Sequence, residues 1–481
     1  MTENQKPEPH VLFATAEISP MVSVGGLALA TSGLAKELIA RGSRLTVVLP
    51  DYGPLVSGFE ESSSWQLEVP DWCGPTLARR GRGPDLPDVV LISRPGMERP
   101  HPYVDPGTGD AWADNTERFF AFSAAIAALC AGEDEGGVDP DVLHLNDWHT
   151  AATVGFLSSP SPSVLTIHTL GYQGVTDAWW ISRIPHRSWL FNWYDVANPL
   201  AAAVRSVDRV IAVSPNYAKE ILTPESGMAM DRELAARGDT LLGILNGIDV
   251  SVWNPAEDPH LPRTYTAKTV SKGKAAAQEA LLDRFGWDDD GSAVIGVVSR
   301  LVDQKGIDLL METVPYLSRM GARIVLLGSG LQELTNWVRN VAAQHPEHLA
   351  AELDAYDEPL AHLIFAGSDL FCMPSRFEPC GLAQMQAMAY GTPTIATAVG
   401  GLVDTIVDAD ADPEGGTGFL TVSNDLAGLV DAMHRGLRAM KQPQRFNGIR
   451  RRGMKTDWSW RQPARRHAEL YRELFNEAQN L

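Results

Sequence analysis

Short runs of β-branched and apolar residues alternate with helical patterns along most of the chain. In the first unit of this kind, residues 11–14 form an apolar run, and Gly25 and Gly26 then open a helical pattern that stops near Gly42. A second apolar run follows at residues 45–49. Strand, glycine turn, helix and strand make a βαβ unit, in which the helix returns the chain to lay the two strands parallel. The alternation therefore predicts α/β layers built on parallel sheets.

The alternation occurs in two sets, separated by a polar linker that extends to about residue 275. Further strand-like runs in the first set lie at 142–145, 164–167 and 209–213, and those of the second set lie at 293–298, 323–327, 370–373 and 394–397. Two such sets predict two doubly wound Rossmann-like domains, which we expect to face each other across a cleft and to bind ligands at the carboxyl ends of their strands. We place the domains at residues 1–255 and 276–450. Residues 54–106 are rich in glycine and proline without clear periodicity, and we expect them to decorate one rim.

Composition limits the partners of the chain. A length of 481 residues exceeds one ordinary core, and the net charge of −20 disfavours nucleic acid and anionic membranes as partners. No apolar run has membrane-spanning length, and the first residues lack the pattern of a signal peptide. The four cysteines are far apart in the sequence: Cys73, Cys130, Cys372 and Cys380. We expect reduced thiols and a cytoplasmic protein, and homo-oligomerisation remains open.

The stretch 369–390 contains the most informative local pattern. An apolar run of strand length leads into a turn that carries Glu378, Cys380 and Gly381, and a helical pattern begins at Leu382. A strand, a tight loop and a helix start can hold an anionic ligand with backbone N–H groups. The alternative is an ordinary strand-to-helix connection.

This stretch resembles the donor-site signature of the bacterial glycogen synthases and plant starch synthases. Members of that family are retaining glycosyltransferases with two Rossmann-like domains of the GT-B type, and they use a nucleotide sugar. The resemblance implies that Glu378 lies beside the transferred sugar and that amides near Leu382 hold the diphosphate, with Cys380 and Gly381 close to the donor. It also implies that a last helix, within residues 451–481, crosses back to the first domain.

Two cations follow the first strand of the second set. Arg300 and Lys305 share one loop, and a pair of positive charges there suits a diphosphate leaving group. The alternative is a solvated surface pair. The string Val298-Ser-Arg-Leu-Val-Asp-Gln-Lys-Gly is similar to the family motif in which these two residues bind phosphates, so we assign both to catalysis and donor binding.

Polar residues of the first set are candidates for binding the sugar and the acceptor. A lone histidine such as His168 is more often structural, but its string Thr-Ile-His-Thr-Leu-Gly-Tyr-Gln-Gly resembles the family string whose histidine contacts the transferred sugar. The resemblance likewise places Tyr103, Asp147 and Asn246 at the sugar or the acceptor. It assigns the glycine pair, Gly25 and Gly26, to the donor.

The chain departs from the family at several of these positions. The family's glycine loop reads Lys-x-Gly-Gly-Leu-Ala-Asp, whereas this chain has Ser23 and Leu29 at the two charged positions. Thr169, Ala383 and Gln386 are further departures. Since Arg300, Lys305 and Glu378 are kept, we interpret the changes as altered substrates rather than lost catalysis.

The predicted function follows from these motifs. We predict a retaining, metal-independent glycosyltransferase that moves a sugar or cyclitol unit from a nucleotide-activated donor to a small acceptor. The alternatives are an ADP-glucose-dependent glycogen synthase and a catalytically silent glucan-binding protein. Asp408, Asp410 and Asp412 lack the glycine and distal glutamate of a calcium loop, so we predict a solvated turn there, no metal site and no cofactor besides the nucleotide sugar as co-substrate.

Overall fold

A computed structural model describes residues 8–131 and 137–480. The chain divides into two compact units, one of Met1–Asn246 with Trp460–Leu481 and one of Gly247–Ser459. Each unit contains a sheet of parallel strands with helices between successive strands, which confirms the predicted fold class of two Rossmann-like domains.

The first unit begins with the predicted βαβ pattern and continues it. Its strands are β1 (His10–Ala14), β2 (Arg44–Pro50), β3 (Glu60–Gln66), β4 (Leu77–Gly83), β5 (Leu86–Ser93), β6 (Val142–Asn146), β7 (Ser163–Ile167), β8 (Thr176–Asp177), β9 (Asn192–Trp193), β10 (Val196–Ala197), β11 (Arg209–Ala212) and β12 (Leu241–Gly243). Its α-helices are α1 (Gly26–Ala40), α2 (Asn115–Leu129), α3 (Trp148–Ala151), α4 (Pro199–Ser206), α5 (Pro215–Glu220), α6 (Asp231–Ala235) and, at the end of the chain, α16 (Arg461–Gln479).

The main sheet of this unit has the strand order β12-β11-β7-β6-β1-β2-β5-β4-β3. The strands from β12 to β5 are parallel, and β4 and β3 are antiparallel additions at one edge. In the register, Ala14 lies opposite Leu145, and Asn146 lies opposite Thr166. The carboxyl ends of β1, β6 and β7 therefore lie side by side.

Residues 54–106 show no clear periodicity in the sequence, yet they form regular strands at one end of the main sheet. They contain β3, β4 and β5, which form the antiparallel edge. The sequence of β3 is EESSSWQ, and all its residues but one are exposed, so no alternation of apolar and polar residues marks the strand. Backbone hydrogen bonds to β4, rather than the burial of an apolar face, define this strand.

The second unit carries a sheet of parallel strands in the order β15-β14-β13-β16-β17-β18. Its strands are β13 (Ala293–Val298), β14 (Ala322–Leu327), β15 (Leu349–Glu352), β16 (Leu370–Met373), β17 (Thr394–Ala396) and β18 (Gly418–Leu420). Its α-helices are α7 (Val270–Arg284), α8 (Ile307–Thr313), α9 (Leu317–Met320), α10 (Gln332–Gln344), α11 (Glu358–Gly367), α12 (Ala383–Ala389), α13 (Gly400–Thr405), α14 (Leu426–Met440) and α15 (Pro443–Lys455).

The boundaries of the units differ from the predicted 255 and 451. Residues 247–255 belong to the second unit, because Ile248 N–H donates to Trp458 O (2.8 Å) and Trp253 stacks on His362 with ring centroids 4.1 Å apart. Residues 451–459 stay there too. The final helix α16 packs in the first unit, where Trp460 and Tyr471 join the core formed under β1, β2 and α1.

All four cysteines are free thiols. Among the described residues, no helix has the length and apolar character needed to cross a membrane.

Candidate functional site

In the second unit, two loops that follow neighbouring strands are bonded to each other. The loop after β13 accepts a hydrogen bond from Arg376 N–H at Gln304 O (2.8 Å), and Gln304 Nε2 donates to Phe377 O (3.1 Å) in the loop after β16. Gly306 lies between them with φ +62°, and a Cβ there would come within 1.9 Å of Pro374 O. Only glycine allows this approach, so glycine at position 306 is required for the loops to join.

The joined loops bring Lys305 and Glu378 together. Lys305 Nζ lies 2.5 Å from Glu378 Oε2, and Ser375 Oγ donates to the same oxygen at 3.1 Å. Glu378 is only 5% exposed, so its charge is balanced by a cation and a hydroxyl rather than by water. Arg300 is exposed, and no described carboxylate forms an ion pair with it. The site thus combines a buried, paired carboxylate with one cation whose charge stays available.

The rest of the signature loop is held by Gln384, which is not among the site residues predicted from the sequence. Gln384 is buried, and its Nε2 donates to Cys380 O and Gly381 O at 3.1 Å each. Gly381 has φ +76°, and a Cβ there would lie 2.5 Å from Gln384 Oε1. Leu382 is the residue before α12, so the loop ends directly at a helix start. The available signal was the sequence of α12, AQMQAMA, in which Gln384 and Gln386 are polar residues within an otherwise apolar helix.

In the first unit, Glu17 organises the glycine loop. Its carboxylate accepts hydrogen bonds from Val24 N–H (2.8 Å), Gly25 N–H (3.0 Å) and the hydroxyl of Tyr103 (2.5 Å). Burial and the neighbouring Glu17 carboxylate raise the pKa of Tyr103 well above its ordinary value. Glu17 is not among the site residues predicted from the sequence. The available signal was its position, since it is a carboxylate three residues after the end of the buried strand β1.

The glycine pair itself is open to approach. Helix α1 begins at Gly26, and Gly25 before it offers no side chain to accept hydrogen bonds from the first amides. A Cβ built on either glycine would meet no atom within 4 Å. Ser23 is exposed, and Leu29 is 44% exposed. Ser23 and Leu29, the two departures within the glycine loop, thus lie on the surface beside the glycine pair.

Asp147 and His168 follow the neighbouring strands β6 and β7 and contact each other. Asp147 Oδ1 accepts a hydrogen bond from His168 N–H at 2.7 Å. Burial, with a smaller contribution from Glu17, raises the pKa of Asp147 to about 7, although the backbone hydrogen bonds from His168 and Thr169 oppose this shift. His168 Nε2 lies 2.9 Å from Asn146 Oδ1, and Asn146 Nδ2 donates to Ala14 O. Burial, with repulsion from His467, lowers the pKa of His168 to about 3, so the ring is neutral near pH 7.

The structure therefore assembles most of the predicted residues, within each unit separately. The first unit groups Gly25, Tyr103, Asp147 and His168 with the unanticipated Glu17 and Asn146. The second groups Lys305, Glu378, Cys380, Gly381 and Leu382, with Arg300 on the same loop as Lys305. Asn246 follows β12 and is half-buried, and among the described residues it shares no hydrogen bond with the first group.

The aspartates at 408, 410 and 412 do not form the simple solvated turn that we expected. Asp408 Oδ2 lies 2.8 Å from Arg435 Nη1, and Asp410 Oδ1 lies 2.5 Å from Arg445 Nη2. Two of the three carboxylates are thus ion-paired with arginines.

Two family matches cover most of the chain. Residues 10–236 match the family described as starch synthase catalytic domain, and residues 283–451 match glycosyl transferases group 1. With the two Rossmann-like units, these matches define a GT-B glycosyltransferase that depends on a nucleotide sugar.

Relatives that match along nearly the whole chain identify the family within the GT-B glycosyltransferases. The chain is 37% identical to glycogen synthase 1 of Methylococcus capsulatus, over 96% of each chain. It is 39% identical to glycogen synthase of Alkalilimnicola ehrlichii, over 96% of this chain and 98% of that one. The chain belongs to the family of glycogen and starch synthases.

One solved structure supports this membership, and a second shares the fold. The catalytic domain of starch synthase IV from Arabidopsis thaliana, bound to ADP and acarbose, superimposes with a TM-score of 0.86 at 29% identity, over 98% of this chain and 100% of that one. Sucrose-phosphate synthase from Thermosynechococcus elongatus, at 17% identity and a TM-score of 0.62, shares the fold over 98% of this chain and 100% of that one.

Proposed function

We propose that the protein is a retaining glucosyltransferase that extends an α-1,4-glucan from a nucleotide-activated glucose, which is the activity of a glycogen synthase. The observation that carries the proposal is the second-unit site, where Lys305 pairs with Glu378 and Arg300 keeps an unpaired charge on the same loop. Relatives at 37% and 39% identity along the whole chain bear the name glycogen synthase, which supports this function over the small-acceptor specialisation.

The second unit would act on the donor. As the bond between the sugar's anomeric carbon and the phosphate oxygen breaks, negative charge grows on the diphosphate, and Arg300 and Lys305 stabilise it. Glu378, held in place by Lys305 and Ser375, positions the donor ring. The acceptor hydroxyl forms its new bond on the face that the nucleotide leaves, and the departing phosphate takes the hydroxyl proton.

The first unit would orient the sugar. Asn146 Oδ1 can only accept, so the proton of the neutral His168 ring lies on Nε2, and Nδ1 keeps a lone pair that can accept a hydrogen bond from a sugar hydroxyl. Asp147 holds the backbone of this segment through His168 N–H. His168 Nδ1, held in place by Asp147, is therefore a hydrogen-bond acceptor for a sugar hydroxyl at the carboxyl ends of β6 and β7.

A second candidate function is supported by the glycine loop. Where the family has lysine and aspartate, Ser23 and Leu29 are exposed, and the neighbouring Val24 is exposed as well. An apolar surface suits a ring with fewer hydroxyl groups than glucose. The glycine loop therefore supports, as the second candidate function, a specialised transferase that moves a sugar or cyclitol to a small acceptor.

One assay separates these functions from each other and from a silent glucan-binding protein. The purified protein is incubated with ADP-glucose or UDP-glucose and glycogen, beside an authentic glycogen synthase, and both glucan extension and nucleotide release are measured. Extension comparable to that of the authentic enzyme supports the glycogen synthase proposal. The same assay is repeated with other nucleotide sugars and with small sugar acceptors. Nucleotide release that occurs only under those conditions supports the specialised transferase. If none of the donors releases its nucleotide, neither enzyme is supported.

A further inference from the structure

The second unit contains a cluster of potential metal ligands outside the candidate transferase site. His260, Glu358 and His362 each offer one ligand atom, and these atoms all lie within 4.8 Å of one another. Glu358 and His362 are four residues apart on α11, so they share one face of that helix. His260 comes from the segment before α7 and packs its ring 4.8 Å from the ring of His362.

The ring of His362 is held in one orientation. It is 1% exposed, and Trp253 stacks on it with an interplanar angle of 13°. His362 Nδ1 lies 2.7 Å from Asp258 Oδ2, and the Tyr390 hydroxyl donates to the same carboxylate oxygen at 2.5 Å. A carboxylate can only accept, so Nδ1 of His362 carries the proton.

That assignment leaves a lone pair on the other ring nitrogen. His362 Nε2 is buried, and no described residue forms a hydrogen bond with it. A buried polar atom without a hydrogen-bond partner requires an explanation, and a bound ion is one of the recognised explanations. A neutral histidine whose Nδ1–H is bonded to a carboxylate is the form in which metal-binding histidines are held, since the carboxylate orients the ring and raises its basicity.

An ordinary structural explanation accounts for only part of the cluster. Glu358 lies in the first turn of α11, where a negative charge stabilises the helix dipole. The ring of His260 packs against the buried ring of His362. Neither role explains why Nε2 of His362 is buried without a hydrogen-bond partner beside two further ligand atoms.

We propose that His260, Glu358 and His362 form a binding site for a divalent transition-metal ion, with Zn²⁺ as the best match to two imidazoles and one carboxylate. Asp258 orients His362 from behind. Tetrahedral zinc with bonds of about 2.0–2.1 Å holds its ligands about 3.3 Å apart. His260 and Glu358 are exposed, so they can move inward to that spacing while His362 stays fixed. The ion would fasten the segment around residue 260 to α11.

The test uses the full-length protein, freed of metal and titrated with Zn²⁺ by calorimetry, with the metal content measured after dialysis. We expect one Zn²⁺ per chain and a rise in the melting temperature. His260→Ala and Glu358→Gln alter exposed residues, so both variants should fold, and each should weaken Zn²⁺ binding by about tenfold or more. The matched control is His434→Ala, which removes an exposed histidine on α14 of the same unit and should bind Zn²⁺ like the parent.

Two outcomes would overturn the proposal. One is the absence of stoichiometric Zn²⁺ binding by the folded parent. The other is unchanged affinity in both His260→Ala and Glu358→Gln, which would place any bound metal elsewhere on the surface. Because the readouts are metal content, affinity and melting temperature, the result is independent of whether the chain proves to be a glycogen synthase.

Discussion

Lys305 Nζ lies 2.5 Å from Glu378 Oε2, across 73 residues of sequence and between the loops that follow two neighbouring strands. The contact ties the two most informative motifs of the second unit into one charged pair. It also distinguishes Lys305 from Arg300, which shares its loop but has no ion-pair partner among the described residues. The two cations should therefore respond differently to substitution.

Arg300→Ala should lower turnover by about 10²–10³-fold, because the charge it removes is available to the leaving diphosphate. Folding should be unaffected, since the side chain is exposed. Initial rates of nucleotide release measure the effect. Arg319→Ala, an exposed arginine on α9 of the same unit, is the control and should keep parental turnover. A folded Arg300→Ala protein with parental turnover would remove Arg300 from the site.

Glu378→Gln keeps the shape of the side chain and removes its charge, so turnover should fall more than donor affinity. Lys305→Met removes the partner, and the double variant should lose less than the sum of the two single losses, with a coupling of about 0.5–3 kcal/mol. Donor binding and turnover are measured for all four proteins. Strictly additive losses would show that the pair does not act as a unit, and a fully active Glu378→Gln would make the carboxylate structural.

Glu17→Gln should loosen the glycine loop, because the backbone amides of Val24 and Gly25 lose a charged acceptor. Hydrogen bonds to charged groups contribute about 1.5–3 kcal/mol each. Amide hydrogen exchange at these two residues should accelerate. Tyr103→Phe should have a smaller effect, as it removes the phenol hydroxyl and leaves both backbone amides bonded to Glu17. Glu37→Gln on α1 serves as the control, and exchange that does not differ between the two glutamate variants would contradict the assignment.

Ser23→Lys combined with Leu29→Asp should raise glycogen extension from ADP-glucose by about tenfold, since one added charge-assisted hydrogen bond contributes about 1.5–3 kcal/mol. A serine hydroxyl carries no charge and cannot replace an ammonium group opposite a phosphate. Both positions are exposed, so the fold should tolerate the changes. Ser23→Ala should leave the parental rate. An unchanged rate in the double variant would show that this loop does not contact the donor.

The stability of the fold should decrease as pH falls from about 6.5 toward 4. Burial lowers the pKa values of His149 and His168 to about 3 and that of His467 to about 4, so the unfolded chain takes up protons that the folded chain refuses. Asp147 acts in the opposite direction. Its pKa is raised to about 7, so its contribution is greatest below its ordinary value of 3.8 and is lost as pH rises to about 7. Each net proton changes the unfolding free energy by about 1.4 kcal/mol per pH unit.

Urea unfolding at several pH values between 4 and 7 measures this dependence. His168→Gln should reduce the slope of stability against pH, and the exposed His434→Ala should leave it unchanged. If the His168→Gln slope equals the parental one, the neutral buried state of His168 is wrong.

Much of the architecture could be predicted from local patterns. The apolar runs of β1, β13 and β16 and the helix that begins at Gly26 are marked by residues close together in sequence, because strand and helix periodicity is a local property. The positions of Arg300, Lys305 and Glu378 after strand ends followed from the same patterns. The solvent-exposed strand β3 did not, because backbone pairing rather than an apolar face defines it.

Tertiary structure alone decided which of these residues touch. The pairing of Lys305 with Glu378, the hydrogen bonds of Glu17 to the glycine loop and the packing of Gln384 all join residues through turns whose geometry no local pattern encodes. His260 and His362 are about a hundred residues apart, and no local spacing marks them as a pair of metal ligands. Periodicity specifies which face of a strand or helix is buried, whereas contacts between distant side chains depend on how the assembled layers pack.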